Sequence, residues 1–154
     1  MSTLTIVIPT LNEEQTLPSV ARNLKALDPQ PDHVLVVDGG STDRTVPLAQ
    51  ELGLKVVVQE PAGRARQINR GVEEATTDVI CVLHADTRLP SDAVDVVRTV
   101  LRNQNVALAG FTAILSGDQT TRWATSFHNW IKTWYAPLLF RPHLFFRGCR
   151  LLFG

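Results

Sequence analysis

A chain of 154 residues is long enough for one domain with a substantial core and needs no covalent staple. Fifteen basic residues balance fifteen acidic ones, so the net charge of zero gives no electrostatic reason to expect a nucleic-acid partner. Cys81 and Cys149 lack metal-ligand spacing and no apolar run approaches the roughly 20 residues that cross a bilayer, so we expect a cytoplasmic protein.

Short apolar runs alternate with segments of helical periodicity through the first two thirds of the chain. Strands buried on both faces are predicted at residues 4–8, 33–37, 54–58 and 78–83. Helices are predicted between them, at residues 13–27, 43–52 and 63–75. This order predicts an α/β fold with a mainly parallel central sheet and helices on both faces. Ligands of such sheets bind beyond the carboxyl ends of the strands, so the residues that follow each strand form the candidate site.

Polar residues follow the first predicted strand, where residues 7–14 read VIPTLNEE. Thr10 or Asn12 can cap the next helix, and Glu13 suits the positive end of that helix. A functional interpretation has Thr10 and nearby backbone groups hold a nucleobase, while Glu13 contacts the nucleotide or braces the site. The sequence leaves both interpretations open.

Asp38 ends the second predicted strand, within VVDGGSTD at residues 36–43. A carboxylate at the end of an apolar strand is costly unless hydrogen bonds satisfy it. The donors can be backbone N–H groups of the Gly39–Ser41 turn, or the N–H group on the edge of a uracil ring. Both sources of donors fit the sequence.

Two arginines open the third predicted helix, where residues 63–67 read GRARQ. The positive end of a helix disfavours cations unless an anion is close, so Arg64 and Arg66 suggest a phosphate at this position. The alternative is a solvated basic face of the helix.

Asp86 follows the fourth predicted strand, within LHADT at residues 83–87. A carboxylate there can bridge Mg²⁺ to a diphosphate, because Mg²⁺ needs only one or two protein carboxylates beside the phosphates. The alternative is an aspartate that merely forms a turn beside Thr87. The sequence has neither the Gly-x-Gly-x-x-Gly pattern of dinucleotide folds nor a P-loop, so another kind of nucleotide site is required.

In these four segments, from residue 4 to about residue 90, the sequence resembles the family-2 glycosyltransferases. Their fold is the Rossmann-like GT-A fold of nucleotide-diphospho-sugar transferases. The motifs GRARQIN and LHADT are similar to those of a bacterial subgroup of small single-domain transferases. The resemblance implies inverting transfer of a sugar from a nucleotide-diphosphate donor, with UDP favoured because Asp38 suits the uracil N–H.

The resemblance also implies roles for individual residues. Asp86 would bind a divalent cation, Mg²⁺ or Mn²⁺. His84 stands where the family commonly has the first Asp of an Asp-x-Asp motif, so it can bond the ribose but adds no negative charge. The remaining residues expected to contact the nucleotide are Pro9, Thr10, Asn12, Glu13, Asp38, Gly63 and Arg64.

The last quarter of the chain differs in composition, because nine of the ten aromatic residues follow residue 120 and no acidic residue follows Asp118. We therefore divide the chain into a nucleotide-sugar-binding domain at residues 1–118 and an aromatic, basic start of the acceptor side at residues 119–154. Helical spacing places four aromatic residues on one stripe, which suits core packing, a membrane or acceptor face, or self-association through residues 123–153. The four are Trp123, Phe127, Trp130 and Trp134.

The resemblance places the catalytic base in an acidic motif downstream of the metal motif, so we expect the base beyond Gly154 and an incomplete site in this chain. The expected acceptor is a lipid or a cell-envelope glycan, at the inner face of the membrane. One alternative is a nucleotide-binding module that transfers nothing. Another is a nucleotidyltransferase, although that class expects a Gly-rich basic loop after the first strand.

Overall fold

The computed structural model describes residues 2–103, 106, 108–111 and 143–147. The elements in chain order are β1 (Leu4–Thr10), α1 (Leu17–Lys25), β2 (His33–Asp38), α2 (Thr45–Glu51), β3 (Lys55–Val58), α3 (Arg64–Glu74), β4 (Val79–Val82), α4 (Ala93–Arg102), β5 (Leu108–Phe111) and β6 (His143–Arg147). The strands form one sheet in the order β3-β2-β1-β4-β6-β5.

The four strands predicted from the sequence are parallel and adjacent. β1 is central and pairs with β2 and β4, and β3 lies outside β2. β6 runs antiparallel between β4 and β5. The predicted α/β fold with a mainly parallel sheet is confirmed, while α4, β5 and β6 were not among the predicted elements.

Alternation along β1 explains why helices cover both faces of the sheet. Ile6 and Ile8 belong to a buried cluster with apolar residues of α1, α2 and α4. Val7 points to the opposite face, where it joins a second cluster that Val72 of α3 packs against. Successive side chains of a strand point to opposite faces, so a strand that is apolar throughout buries both of them.

Gly71 lets α3 lie directly on β1. A Cβ atom at this position would stand 2.3 Å from Cγ1 of Val7, far inside van der Waals contact. Any side chain at residue 71 would therefore push α3 away from the strand. The close approach fixes the height of α3 above the carboxyl ends of β1 and β2.

Two predictions about individual elements are wrong. β3 is not buried on both faces, because it forms the edge of the sheet and Val58 is 53% exposed. α1 begins at Leu17 instead of residue 13, with Pro18 in its first turn. Among the described residues, no helix has both the length and the apolar character needed to span a membrane.

Candidate functional site

The carboxyl ends of β1 and β2 bring Thr10 and Asp38 side by side, since the two residues are partners in the strand register. Both are buried. Oδ1 of Asp38 accepts from Oγ1 of Thr10 at 3.0 Å and from Oγ of Ser41 at 2.5 Å. Oδ2 accepts from the backbone N–H of Gly40 at 2.9 Å and of Ser41 at 2.7 Å. The carboxylate thus makes four hydrogen bonds within the protein.

Four bonds use the lone-pair sites that a carboxylate offers. Of the two sources of donors that the sequence left open for Asp38, the structure shows the turn and its neighbour Thr10. A contact between Asp38 and a nucleobase stays a prediction, and it would have to replace one of these bonds.

Hydrogen bonds between side chains and backbone join the loop after β1 to the loop after β2. Backbone N–H groups of Asn12 and Glu13 donate to Oγ of Ser41 and Oγ1 of Thr45, at 2.8 and 2.7 Å. In the reverse direction, Oδ1 of Asn12 accepts from the backbone N–H of Thr42 at 2.9 Å. Asn12 adopts a left-handed φ of 55°, which asparagine tolerates better than most residues.

This pairing of loops explains why α1 starts late. Neither Thr10 nor Asn12 caps the helix, because Thr10 donates to Asp38 and Asn12 bonds the second loop. The residue before α1 is Thr16, which forms no side-chain cap and donates instead to Glu13, to Oε2 at 2.5 Å. Glu13 is therefore a brace of the loop in this structure.

Asp43 is the second anchor of the paired loops. Its Oδ1 accepts from the backbone N–H and the hydroxyl of Thr45, and its Oδ2 accepts from the backbone N–H of Glu14 at 3.2 Å. Desolvation raises the pKa of Asp43, but these hydrogen bonds lower it more, so its pKa lies below the ordinary value. Asp43 thereby holds the start of α2, which begins at Thr45.

Gln67 of α3 ties the ends of β1 and β2 from the other face. Its Nε2 donates to the carbonyl oxygens of Thr10 at 2.7 Å and Val37 at 2.9 Å, and the side chain is buried. Gln67 was not among the site residues predicted from the sequence. A signal was present, because Gln67 lies four residues before Gly71 and therefore on the same face of the helix.

Arg64 connects the start of α3 to the loop after β4. One terminal nitrogen of its guanidinium lies 2.7 Å from Nδ1 of His84. Arginine can only donate, so Nδ1 must be the acceptor and the ring proton of a neutral His84 sits on Nε2. Gly63 caps α3 in an extended conformation, and its carbonyl oxygen accepts from the backbone N–H of Gln67 at 2.9 Å. Pro9, one residue before Thr10, is partly exposed.

Asp86 follows His84 by two residues and is exposed, with Oδ1 accepting from the hydroxyl of Thr87 at 3.1 Å. No group of three or more potential metal-ligating side chains occurs within the described residues. One exposed carboxylate fits Mg²⁺ or Mn²⁺ only if phosphate oxygens supply further ligands, as these cations accept. The donor set is therefore compatible with a cation that arrives with a diphosphate.

Several predictions concern the last quarter of the chain. The aromatic stripe and residues 119–142 lie outside the described residues, so its packing and the proposed domain division stay predictions. The backbone of β6 is described, and Phe145 pairs with Cys81. The antiparallel direction brings the first residue of β6, His143, to the edge of the sheet where β4 ends. No local pattern around His143 connects this residue with the carboxyl ends of the strands.

Comparisons with known proteins agree with this geometry. The sequence profile of Glycosyl transferase family 2 matches residues 5–152. A glycosyltransferase of Mycobacterium tuberculosis is 39% identical over 97 residues, which are 63% of this chain and 42% of that relative. The poly-beta-1,6-N-acetyl-D-glucosamine synthase of Staphylococcus aureus is 28% identical over 95 residues, 58% of this chain and 23% of that protein.

Solved structures show the same fold at low sequence identity. The mannosyltransferase PcManGT of Pyrobaculum calidifontis, in complex with GDP-Man and Mn²⁺, has a TM-score of 0.74 at 21% identity, over 95% of this chain and 44% of its own. Glucosyl-3-phosphoglycerate synthase of Mycobacterium tuberculosis, with Mn²⁺, UDP and glucosyl-3-phosphoglycerate, has a TM-score of 0.66 at 22% identity, over 96% and 57%. The matches to the two curated relatives named above cover 42% and 23% of their lengths, so the chain spans less than half of each.

Proposed function

The chain belongs to glycosyl transferase family 2, and on that premise we propose that it forms the donor-binding half of an inverting transferase that uses a UDP-linked sugar. The observation that carries this proposal is the Arg64–His84 contact at 2.7 Å. It joins the start of α3 to the loop after β4, and so gathers a helix N-terminus, a guanidinium and the nearby Asp86 at one edge of the sheet.

The diphosphate would lie against the start of α3. Backbone N–H groups of a first helical turn attract anions, and a guanidinium adds charge and paired donors. One terminal nitrogen of the Arg64 guanidinium contacts His84, and its other N–H groups would bind the ligand. A divalent cation, Mg²⁺ or Mn²⁺, would be held by Asp86 and would neutralise charge on the departing diphosphate. Mn²⁺ accompanies nucleotides in both solved neighbours described above.

The nucleoside would lie over the ends of β1 and β2. Pro9 and Thr10 form the end of β1, and Asp38 holds the adjoining turn. Asn12 and Glu13 brace the loop that closes this side. His84, in the loop after β4, would lie on the ribose side of the nucleotide. For the acceptor we propose a lipid or an envelope glycan that is reached at a membrane surface.

Calorimetry of UDP binding in the presence of Mn²⁺ tests the proposal. A hydrogen bond to a charged group contributes about 1.5–3 kcal/mol, so Arg64→Ala should weaken UDP binding by about 10- to 100-fold. Arg66→Ala is the matched control, since it removes the same charge from the same exposed turn of α3. Equal losses of UDP affinity in the two variants would mean that nonspecific charge attraction, and not a contact with Arg64, explains the binding. A native chain that does not bind UDP would refute the proposal.

A nucleotide-binding module without transfer activity is the second candidate, because the chain covers less than half of its curated relatives. A turnover assay with labelled UDP-sugars and envelope acceptors separates the two. Transfer by this chain that disappears in His143→Ala would support an enzyme whose base lies at the start of β6. Binding without turnover would support the module.

A further inference from the structure

The loop after β4 carries His84 and Asp86, so its shape decides where a cation bound by Asp86 would lie. At its start, the backbone N–H of Leu83 donates to the carbonyl oxygen of Val7 at 2.9 Å, which continues the pairing of β4 with β1. Inside the loop, the backbone N–H of Thr87 donates to the carbonyl oxygen of His84 at 3.1 Å and closes a turn around Asp86. The sheet thus fixes one end of the loop.

Asn23 of α1 fixes the other end. Its Nδ2 donates to the carbonyl oxygen of Leu89 at 2.9 Å, and its Oδ1 accepts from the backbone N–H of the same residue at 2.8 Å. A carboxamide carries a donor and an acceptor side by side, so one side chain can satisfy both backbone groups of a residue. The helix and the loop are joined in this way although Asn23 and Leu89 are 66 positions apart in sequence.

The surroundings of Leu89 strengthen this contact. Leu89 is 6% exposed and belongs to the same buried cluster as Val20 and Leu24 of α1. Backbone polar groups that are shielded from water need a partner, and a hydrogen bond is electrostatically stronger in such surroundings. A second contact between α1 and the loop, from a terminal nitrogen of Arg88 to Oγ of Ser19 at 3.1 Å, is exposed. Asn23 is therefore the stronger of these two anchors.

Asp86 lies midway between the two fixed points, three residues after Leu83 and three before Leu89. A segment this short, held at both ends and closed by an internal turn, has few backbone conformations left. No group of three or more potential metal ligands lies in the part of the chain that the structure describes, so the position of this one carboxylate decides how well a cation is held.

We propose that Asn23 is a positioning residue for the cation site, because its grip on Leu89 holds the loop in the shape that presents Asp86 to the cation. This inference rests on the proposed function, since it presupposes that Asp86 binds Mn²⁺ or Mg²⁺ beside the diphosphate. α1 also follows directly on the loop after β1, where Thr16 bonds Glu13. One helix thereby connects the two loops that would hold the nucleoside and the diphosphate.

Titration with Mn²⁺ at saturating UDP, with free Mn²⁺ followed by electron paramagnetic resonance, tests the proposal. Partners that orient a metal ligand typically contribute 10- to 100-fold to metal affinity, and Asn23 acts through the backbone, so Asn23→Ala should weaken Mn²⁺ binding by about 10-fold. The affinity for UDP without Mn²⁺, measured by calorimetry, should stay within about 2-fold of the native value. Asn69→Ala, the same change at an exposed site of α3, should alter neither quantity.

A second variant, Asn23→Asp, covers the case in which Asn23→Ala does not fold. The aspartate keeps the size of the side chain and the bond from the N–H of Leu89, but it cannot donate to the carbonyl oxygen of Leu89. It should therefore also weaken Mn²⁺ binding and spare the binding of UDP alone.

Two results would overturn the inference while Mn²⁺-dependent UDP binding by the native chain still supports the proposed function. The first is native Mn²⁺ affinity in a variant of Asn23 whose thermal unfolding shows that it is folded. The second is a loss of UDP affinity that is equal with and without Mn²⁺, as general damage to the fold would give. A native chain that binds UDP no better with Mn²⁺ than without it would overturn both proposals.

Discussion

Replacing Gly71 by alanine should destabilise the protein, although alanine is the better helix former. The new Cβ atom would stand 2.3 Å from Cγ1 and 3.1 Å from Cγ2 of Val7, and 3.3 Å from Cγ2 of Val37. Val7 is fully buried and β-branched, so its side chain cannot rotate away at low cost. Either α3 or β1 has to move.

The size of the effect follows from two opposing terms. Overpacking a filled core costs about 1–3 kcal/mol, and the overlap at Val7 places this contact at the upper end of that range. The gain in helix propensity from glycine to alanine is about 1 kcal/mol. The net loss is about 2 kcal/mol, or a fall of about 1 M in the midpoint of urea unfolding for a slope near 2 kcal/mol/M.

A double-mutant cycle isolates the contact. Val7→Ala removes both methyl groups that the new Cβ atom would meet, so in that background Gly71→Ala should be neutral or stabilising by up to about 1 kcal/mol. Urea unfolding of the four proteins gives the coupling energy. The reasoning would be refuted if Gly71→Ala raised the midpoint in the native background, or shifted it equally in both.

Three further outcomes are expected. Asp86→Ala should abolish the dependence of UDP binding on Mn²⁺ while the midpoint of thermal unfolding stays unchanged. Asp95→Ala, which changes an exposed aspartate of α4, should preserve the Mn²⁺ dependence. UDP binding that is indifferent to a chelator in the native chain would exclude the metal role of Asp86. Burial raises the pKa of the Cys81 thiol to about 12, so in a Cys149→Ser background Ellman's reagent at pH 8 should react only after unfolding, because only ~10⁻⁴ of the native thiol is ionised. Immediate labelling of the folded chain would contradict this burial. The same raised pKa means that the contribution of the Cys81 thiol to the free energy of unfolding is complete below pH 9.0 and declines as the pH rises from there toward about 12. The pKa of Asp43 is lowered on folding, so its contribution to the free energy of unfolding is complete above the ordinary pKa of 3.8 and is lost as the pH falls below that value. The midpoint of urea unfolding should therefore drop between pH 4 and pH 2 in the native chain, and it should drop less in Asp43→Asn.

The parallel half of the fold could be predicted because each of its strands is a separate apolar run. The predicted ends of β1, β2, β3 and β4 differ from the observed ones by no more than two residues. Burial on both faces leaves such runs without polar alternation, and this distinguishes them from the helices between them. The exposed edge of β3 was missed because a run of valines looks the same in the centre and at the edge of a sheet.

The antiparallel half was not predicted, for a different reason. β6 pairs with β4 across the sheet, yet the segments are more than 60 residues apart in sequence. No short pattern specifies such a pairing. α4 did carry a readable signal, since its buried residues Ala93, Val94, Val97 and Leu101 follow helical spacing.

The predicted site residues differ in how far their partners lie along the chain. Three of the four bonds to Asp38 come from within three residues, so the turn could be named from the sequence as one of two alternatives. The start of α1 was predicted four residues early because its loop bonds residues about 30 positions away.

The partners of Gln67 lie much farther away in sequence than the turn residues that bond Asp38. Its amide bonds reach residues 57 and 30 positions earlier in the chain, so its role depends entirely on how α3 lies over the sheet. Gly71 sets that position by its missing Cβ atom, and the four-residue spacing of Gln67 and Gly71 on one helix face is the sign of this role in the sequence. A substitution that lifts α3 should therefore weaken nucleotide binding through Arg64, although Gly71 lies about two turns farther along the helix. Gly71→Ala offers this check, because its loss of UDP affinity should recover in the Val7→Ala background along with its stability.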